Sequence, residues 1–267
     1  MEENRPLNLD LWNEWTDINA QSALYRLEEF KHGENKLNQL EREEVGDVNG
    51  RSLLHFQCHF GMDTLSWARL GAQVTGVDFS DRAIQLAREL SRETGIPGRF
   101  ICCDLYDLPK HLEEQFDIIY TSYGVLTWLS DLTRWAGLID RYLKPGGLFY
   151  IAEFHPFALM FDEDAPEPRL LYPYFAKDVI VCPIQGSYSD KDAPMKTKES
   201  YEWQHTMGEI ITVLCQAGLR IEFLHEHPFS VYQQLAFLQP NAEHNYALPP
   251  DMVDFPLMYS IRARKPA

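Results

Sequence analysis

Apolar and polar positions alternate in two periods along this chain, and between Arg51 and Asp78 the two meet in sequence. Leu53, Leu54 and Phe56 read as a short buried strand, and Gln57–Gly61 as a tight turn. Met62, Leu65 and Ala68 repeat at three-residue spacing, which predicts an amphipathic helix from Met62 to about Leu70, stopped at Gly71-Ala72. A second strand, Gln73–Val77, closes on Asp78. Strand, turn, helix, strand and acid in that order form half of a doubly wound α/β fold, whose ligand sits at the carboxyl edge of the strands beside a helix amino terminus. An acid ending the second strand can accept two hydrogen bonds from a ribose diol.

The pattern continues downstream. Ser80 is placed to cap a helix from Asp81 to Thr94, with Ala83, Ile84, Ala87 and Leu90 as its buried stripe and Gly95 as its stop. A third strand, Arg99–Cys103, ends on Asp104 and Leu105. A fourth starts at Phe116 and carries Thr121, Ser122 and Tyr123 at its carboxyl end. Asp131 caps a helix from Leu132 to Leu143, and a Leu-Lys-Pro-Gly-Gly turn leads into a fifth strand, Leu148–Glu153. A helix beginning near the cap Thr206, a sixth strand at Arg220–His227 and a seventh at Leu257–Lys265 complete the pattern.

A dinucleotide turn of the G-x-G-x-x-G kind needs three glycines, and this turn has only Gly61, seventeen positions before Asp78. The stretch instead resembles the class I S-adenosylmethionine-dependent methyltransferases, of small-molecule type with a variant first motif. That motif runs hydrophobic-hydrophobic-Asp-hydrophobic-Gly-Cys-Gly-x-Gly. Cys58 and Gly61 match it, while His55, Gln57 and His59 replace an Asp and two Gly. Phe116-Asp117-Ile118-Ile119 and the Lys-Pro-Gly-Gly turn match further family pieces. The resemblance covers residues 51–153 most closely.

It implies a Rossmann-like methyltransferase fold: a doubly wound, mostly parallel seven-stranded sheet whose last strand runs antiparallel between its neighbours. It also implies S-adenosylmethionine as cofactor. Asp78 and Phe79 would meet the ribose, Asp104 and Leu105 the adenine, and the main chain at Gln57, His59, Gly61 and Thr121 the methionine end. The lesser alternative for Asp104 is a carboxylate that merely caps a turn. The implied reaction is methyl transfer to nitrogen or oxygen of a small organic acceptor. An inactive relative that only binds the cofactor or a metabolite is the alternative, and an NAD-dependent oxidoreductase on the same architecture is a third reading.

Residues 1–50 are polar and helical with set-in aromatics. They read either as a packing layer or as a lid in which Trp12, Trp15 and Tyr25 wall the site. The acidic run Glu41–Asp47 reads as a solvated link. Domain boundaries follow: a cap at 1–50 and a Rossmann-like domain at 51–267 with insertions near 157–200 and 228–255. The first insertion reads as a flap with a strand at Val179–Pro183. Tyr201, Trp203 and His205 alternate, so in an extended segment they share one face and reach the acceptor pocket.

His155, just past the fifth strand, is placed either for general-base work or as a buried structural residue. His205 and Tyr123 are candidates to orient the acceptor. His55 with His59, and His225-Glu226-His227, are weak metal patterns, and methyl transfer needs no metal.

Composition narrows the partners. Of 267 residues, 24 are Lys or Arg and 40 are Asp or Glu, a net charge of −16 that disfavours nucleic acid and acidic membranes. No basic leader and no apolar run of membrane-spanning length is present, and five cysteines, an odd number, read as reduced and mostly buried thiols. A cytoplasmic enzyme with a small-molecule acceptor, as monomer or homodimer, is the combined expectation.

Overall fold

The computed structural model describes residues 5–243 and 245–267, so the first four residues of the expected cap lie outside the described residues. Three helices come first: α1 (Arg5–Gln21), α2 (Leu27–Lys31) and α3 (Gln39–Val45). The wound core follows as β1 (Ser52–Phe56), α4 (Met62–Arg69), β2 (Gln73–Asp78), α5 (Asp81–Thr94), β3 (Arg99–Cys102), β4 (Phe116–Ser122), α6 (Leu132–Tyr142) and β5 (Leu143–Phe154). A hairpin of β6 (Ile180–Pro183) and β7 (Glu199–Glu202), then α7 (Met207–Gln216) and β8 (Arg220–His227), come next. The short strands β9 (Phe229–Ser230), β10 (Gln239–Pro240) and β11 (Tyr246–Ala247) precede β12 (Met258–Arg264).

Seven strands form the main sheet in the order β3-β2-β1-β4-β5-β12-β8, with β12 antiparallel to both β5 and β8. The strand order reverses between β1 and β4, which opens the ligand crevice at their carboxyl ends. Both faces of the sheet are covered, so the central strands are mostly apolar: Leu53, Leu54, Ile118, Ile119, Phe149 and Ile151 are fully buried. Each such side chain contributes about 1.5–3 kcal/mol relative to exposure.

The local signals act as their chemistry dictates. Ser80 Oγ accepts the Ala83 N–H at 3.0 Å and starts α5, and Gly95 ends it at φ 69°. Strand β5 begins earlier than its apolar run: Leu143 already pairs with Phe116, and the register shifts before Leu148 meets Ile118. The Lys-Pro-Gly-Gly stretch is thus an irregular start to β5.

The acidic run before β1 is not a solvated link. It folds as α3, with Glu41 completely buried because its Oε1 accepts the Asn38 N–H at 2.8 Å and its Oε2 accepts the Tyr120 hydroxyl at 3.0 Å. Burial and the charge of Asp63 push its carboxyl up to about 8. Cys102 and Cys215 are exposed, against the expectation of mostly buried thiols, because each lies on the outward side of its element; all five cysteines are free.

The insertions cover the crevice. Hairpin β6–β7 contributes Ile180, Cys182, Pro183 and Glu202 to the cavity wall, and the segments flanking the β9–β11–β10 sheet pack on Ala158 and Phe161 through Leu235, Phe237, Leu238 and Leu257.

Candidate active site

The turn after β1 keeps a glycine-type backbone without the glycines. Gln57, His59 and Gly61 adopt φ of 54°, 49° and 78°. The two non-glycine residues each carry strain of order 1–3 kcal/mol, which the surrounding hydrogen bonds must offset. Cys58 N–H donates to Val77 O at 2.9 Å, His59 N–H to Asp78 Oδ2 at 2.8 Å, and Gln57 Nε2 to Val125 O at 3.0 Å. At Gly61 no side chain fits: a Cβ there would stand 2.7 Å from the Phe100 ring.

Asp78 is buried, its Oδ1 accepts the Ser80 N–H at 2.9 Å, and burial raises its carboxyl to about 6 despite these bonds. Asp78 pairs with Cys102 across β2 and β3, so Asp78 and Asp104 end neighbouring parallel strands at one edge. The structure does not bring Asp104 and Leu105 to the cavity, however. Asp104 Oδ1 accepts the Tyr106 N–H at 2.8 Å and caps the 3-10 turn Leu105–Lys110, and Leu105 packs into the core. Thr121 also falls short: it is fully buried and donates to Phe56 O at 3.2 Å, tying β4 to β1.

The acid missing from position 55 reappears nearby. His55 Nδ1 bonds Thr64 Oγ1 at 2.8 Å, and burial holds its imidazole at about 3, hence neutral. Asp63, in the first turn of α4, lines the cavity, accepts from Ser122 Oγ at 3.5 Å and is pushed by burial to about 6. Sequence reasoning missed Asp63. Its signal was an acid in the first turn of the helix that follows the loop.

Above the loop lies an aromatic roof. Asn13 fixes α1 to the start of α5, donating to Asp81 Oδ1 at 2.8 Å and accepting from Ser80 Oγ at 2.6 Å. Trp12 then meets Trp15, His59 and Trp128 edge-on at 5.2, 5.4 and 5.3 Å between ring centres. Trp15 Nε1 donates to Gly186 O at 3.1 Å. The Tyr25 hydroxyl bonds Tyr188 and lies 3.3 Å from His59 Nδ1. Burial lowers His59 to about 3.

Beneath the roof is a cavity of about 1150 Å³, which Trp12, Trp15, Tyr25, Gln57, His59, Gly61, Asp78 and Phe79 line on the loop side. Its farther walls include Tyr123, Trp128, Tyr172, Tyr188, Trp203 and Tyr232. Tyr123 itself sits at φ 32° and accepts from Asn38 Nδ2 at 3.3 Å. Glu153, at the end of β5, accepts N–H groups from Gly124, Val125, Leu126 and Phe154, and so shapes the turn that follows β4.

Three sequence candidates sit differently from their expected place. His155 does not line the cavity: it lies behind the end of β5, where Nδ1 accepts the Phe157 N–H at 3.1 Å. Its Nε2 stands 3.0 Å from Glu226 Oε1 at an angle that gives no directed hydrogen bond. Tyr201 is also off the cavity, its backbone N–H and C=O both bonded to the Asn8 side chain; β7 ends at Glu202, so the alternation linking it to Trp203 and His205 is lost. His205 does line the cavity, but Nε2 faces Leu129 O at 2.7 Å and Nδ1 faces Glu209 at 3.3 Å.

The loop side is built to receive a polar ligand. Trp12 Nε1, His55 Nε2, Gln57 Oε1 and His59 Nε2 are buried without a partner among the described residues, and all four residues line the cavity. Among the described residues no group of three or more His, Cys, Asp or Glu is arranged to hold a metal ion. No helix among them is long and apolar enough to cross a membrane.

Comparison with known proteins agrees with this geometry. Residues 54–151 match the family described as "Methyltransferase domain". The chain is 28% identical over 134 residues to the ubiquinone biosynthesis O-methyltransferase of Proteus mirabilis (strain HI4320), covering 50% of this chain and 52% of that protein. To the protein of the same name from Bordetella avium (strain 197N) it is 25% identical over 207 residues, 78% of each. The chain thus spans about half the length of the first of these relatives. An S-adenosylmethionine-dependent methyltransferase structure from Mesorhizobium loti superposes with a TM-score of 0.59 at 21% identity, over 88% of this chain and 100% of that one, a likeness of fold.

Proposed function

From the methyltransferase-domain match at residues 54–151 and the shared fold, we propose that the chain is a class I S-adenosylmethionine-dependent methyltransferase and that it methylates nitrogen or oxygen of a small organic acceptor enclosed under the aromatic roof. The observation carrying this reading is the continuity of one cavity from the β1 turn and Asp78 to a chamber walled by both insertions.

S-adenosylmethionine, when bound, supplies a methyl group already activated as a sulfonium. The task left to the chain is to align, enclose and exclude water. Asp78 retains lone pairs for a ribose diol after its two backbone bonds. His59 Nε2, Gln57 Oε1 and Trp12 Nε1 present hydrogen-bonding atoms to the ligand, and Asp63 presents a carboxylate. Trp12, Trp15 and Trp128 close the chamber above them.

Isothermal titration with S-adenosylmethionine tests the cofactor assignment, and absence of binding removes it. Release of S-adenosylhomocysteine in the presence of a metabolite library tests transfer and separates an enzyme from an inactive relative. The five free thiols suit a reducing compartment, and we place the enzyme in the cytoplasm.

A further inference from the structure

The chamber half formed by the insertions has an electrostatic character of its own. Glu202, the last residue of β7, lines it and among the described residues meets neutral donors: Ser200 Oγ at 2.7 Å, Thr127 Oγ1 at 3.4 Å and the Cys182 thiol. Glu163 also lines it, with Lys191 3.9 Å away and engaged by Asp164 as well. Around these acids stand Tyr172, Trp203, Tyr232 and Cys182.

From the second insertion comes Gln234, more than nine-tenths buried. Its Nε2 donates to Leu257 O at 2.9 Å, which fixes the amide and leaves Oε1, a pure acceptor, buried without a partner among the described residues, while the residue lines the cavity. The charge of Glu202 acts on Glu163, and that of Glu163 on Tyr232, two residues before Gln234, so the two acids and this part of the second insertion face one another.

Resting on the methyl transfer argued above, we propose that the acceptor is an amine entering as its ammonium ion, with Glu202 as counter-charge, Gln234 Oε1 as N–H acceptor and the chamber's aromatic rings as walls. The chemistry selects against the alternatives. A phenol or carboxylic acid would carry or develop negative charge beside Glu202 and Glu163, whose fields already help push up the Tyr172 phenol and the Cys182 thiol. An ammonium meets a carboxylate, an amide oxygen and ring faces, all of which attract it.

Glu202 also has a use for the ammonium proton. Burial raises its carboxyl above the ordinary range. As one N–H bond breaks and one O–H bond forms on Glu202, the acceptor is left as a neutral amine with the lone pair that methylation requires.

Three probes of one shape and different charge test this: 2-phenylethylamine, 2-phenylethanol and phenylacetate. Each is titrated into the S-adenosylhomocysteine-loaded protein at neutral pH and followed by quenching of the cavity tryptophans. The amine is expected to bind about tenfold or more tighter than the other two, as a charge-assisted contact predicts. Glu202→Gln is expected to erase most of that preference while S-adenosylhomocysteine affinity stays at the wild-type value, and Gln234→Leu to weaken the amine alone by roughly fivefold.

Equal or tighter binding of the alcohol or the carboxylate overturns the proposal, as does a preference that survives Glu202→Gln, or absence of amine binding up to about 10 mM. Failure of S-adenosylhomocysteine itself to bind is a different result, and it removes the methyltransferase reading instead.

Discussion

Asp78 Oδ2 accepts the backbone N–H of His59 at 2.8 Å, so the acid that ends β2 holds the turn that ends β1. One carboxylate therefore serves the loop's shape and the ligand together. Asp78→Ala should weaken S-adenosylmethionine binding about 10- to 100-fold, as loss of charge-assisted hydrogen bonds of about 1.5–3 kcal/mol implies. Titration calorimetry measures it, and an unchanged affinity would remove Asp78 from the cofactor site.

The left-handed backbone at Gln57 gives a second expectation. Gln57→Gly relieves strain while losing the bond to Val125 O, so stability in urea should change by less than about 1 kcal/mol. Gln57→Val, β-branched at φ 54°, should cost about 1–3 kcal/mol. Equal midpoints for the two variants would contradict the geometry of the turn.

Glu41 sets a pH dependence. Its folded carboxyl lies near 8 against an ordinary value of 4.5, so between those values the folded chain holds a proton that the unfolded chain has released. Folding there takes up a proton, and stability falls as pH rises from about 5 to 8. Glu41→Gln keeps an uncharged group in place and should flatten that slope, by several degrees in Tm at the upper end. Thermal melts at pH 5, 6.5 and 8 decide it; parallel curves for wild type and variant would refute the assignment.

For His155, which faces Glu226 behind β5, the expected change is structural. His155→Gln should lower Tm yet leave the pH profile of methyl transfer unshifted. A profile that loses its basic limb would return His155 to the chemistry.

Trp12 touches three roof rings at once, so Trp12→Ala should raise the KM for both substrates by roughly tenfold or more, given about 0.5–1.5 kcal/mol for each aromatic pair. A rise confined to one substrate would limit the roof to that half of the cavity.

The wound core was legible because its signals are local. Alternation marked the strands, three-residue spacing marked the helices, and Ser80 and Gly95 marked the ends of α5. The turn was half legible: Gly61 announced a place with no room for a side chain, but nothing local said that Gln57 and His59 would adopt glycine-like angles. Those angles follow from bonds to Val125 and Asp78, both distant in sequence.

The site itself was less legible. A residue just past a strand end is certain to be at the ligand edge, but which side of the sheet it faces depends on what packs there. That is why position alone leaves His155 open between a base and a buried structural residue and gives no sign of Asp63, Glu202 or Gln234. Glu41 looked solvated within its acidic run because the Tyr120 hydroxyl that meets it lies 79 residues away.

Glu153 gives the architecture an unexpected vulnerability. Its carboxylate is occupied by four main-chain amides around Gly124–Leu126 and Phe154, and Val125 within that turn carries the carbonyl that Gln57 grips. A lesion at Glu153 would slacken two loops at one stroke. A genetic screen for weak ligand uptake would therefore return this position beside the contact residues, although what it holds is the frame around the ligand.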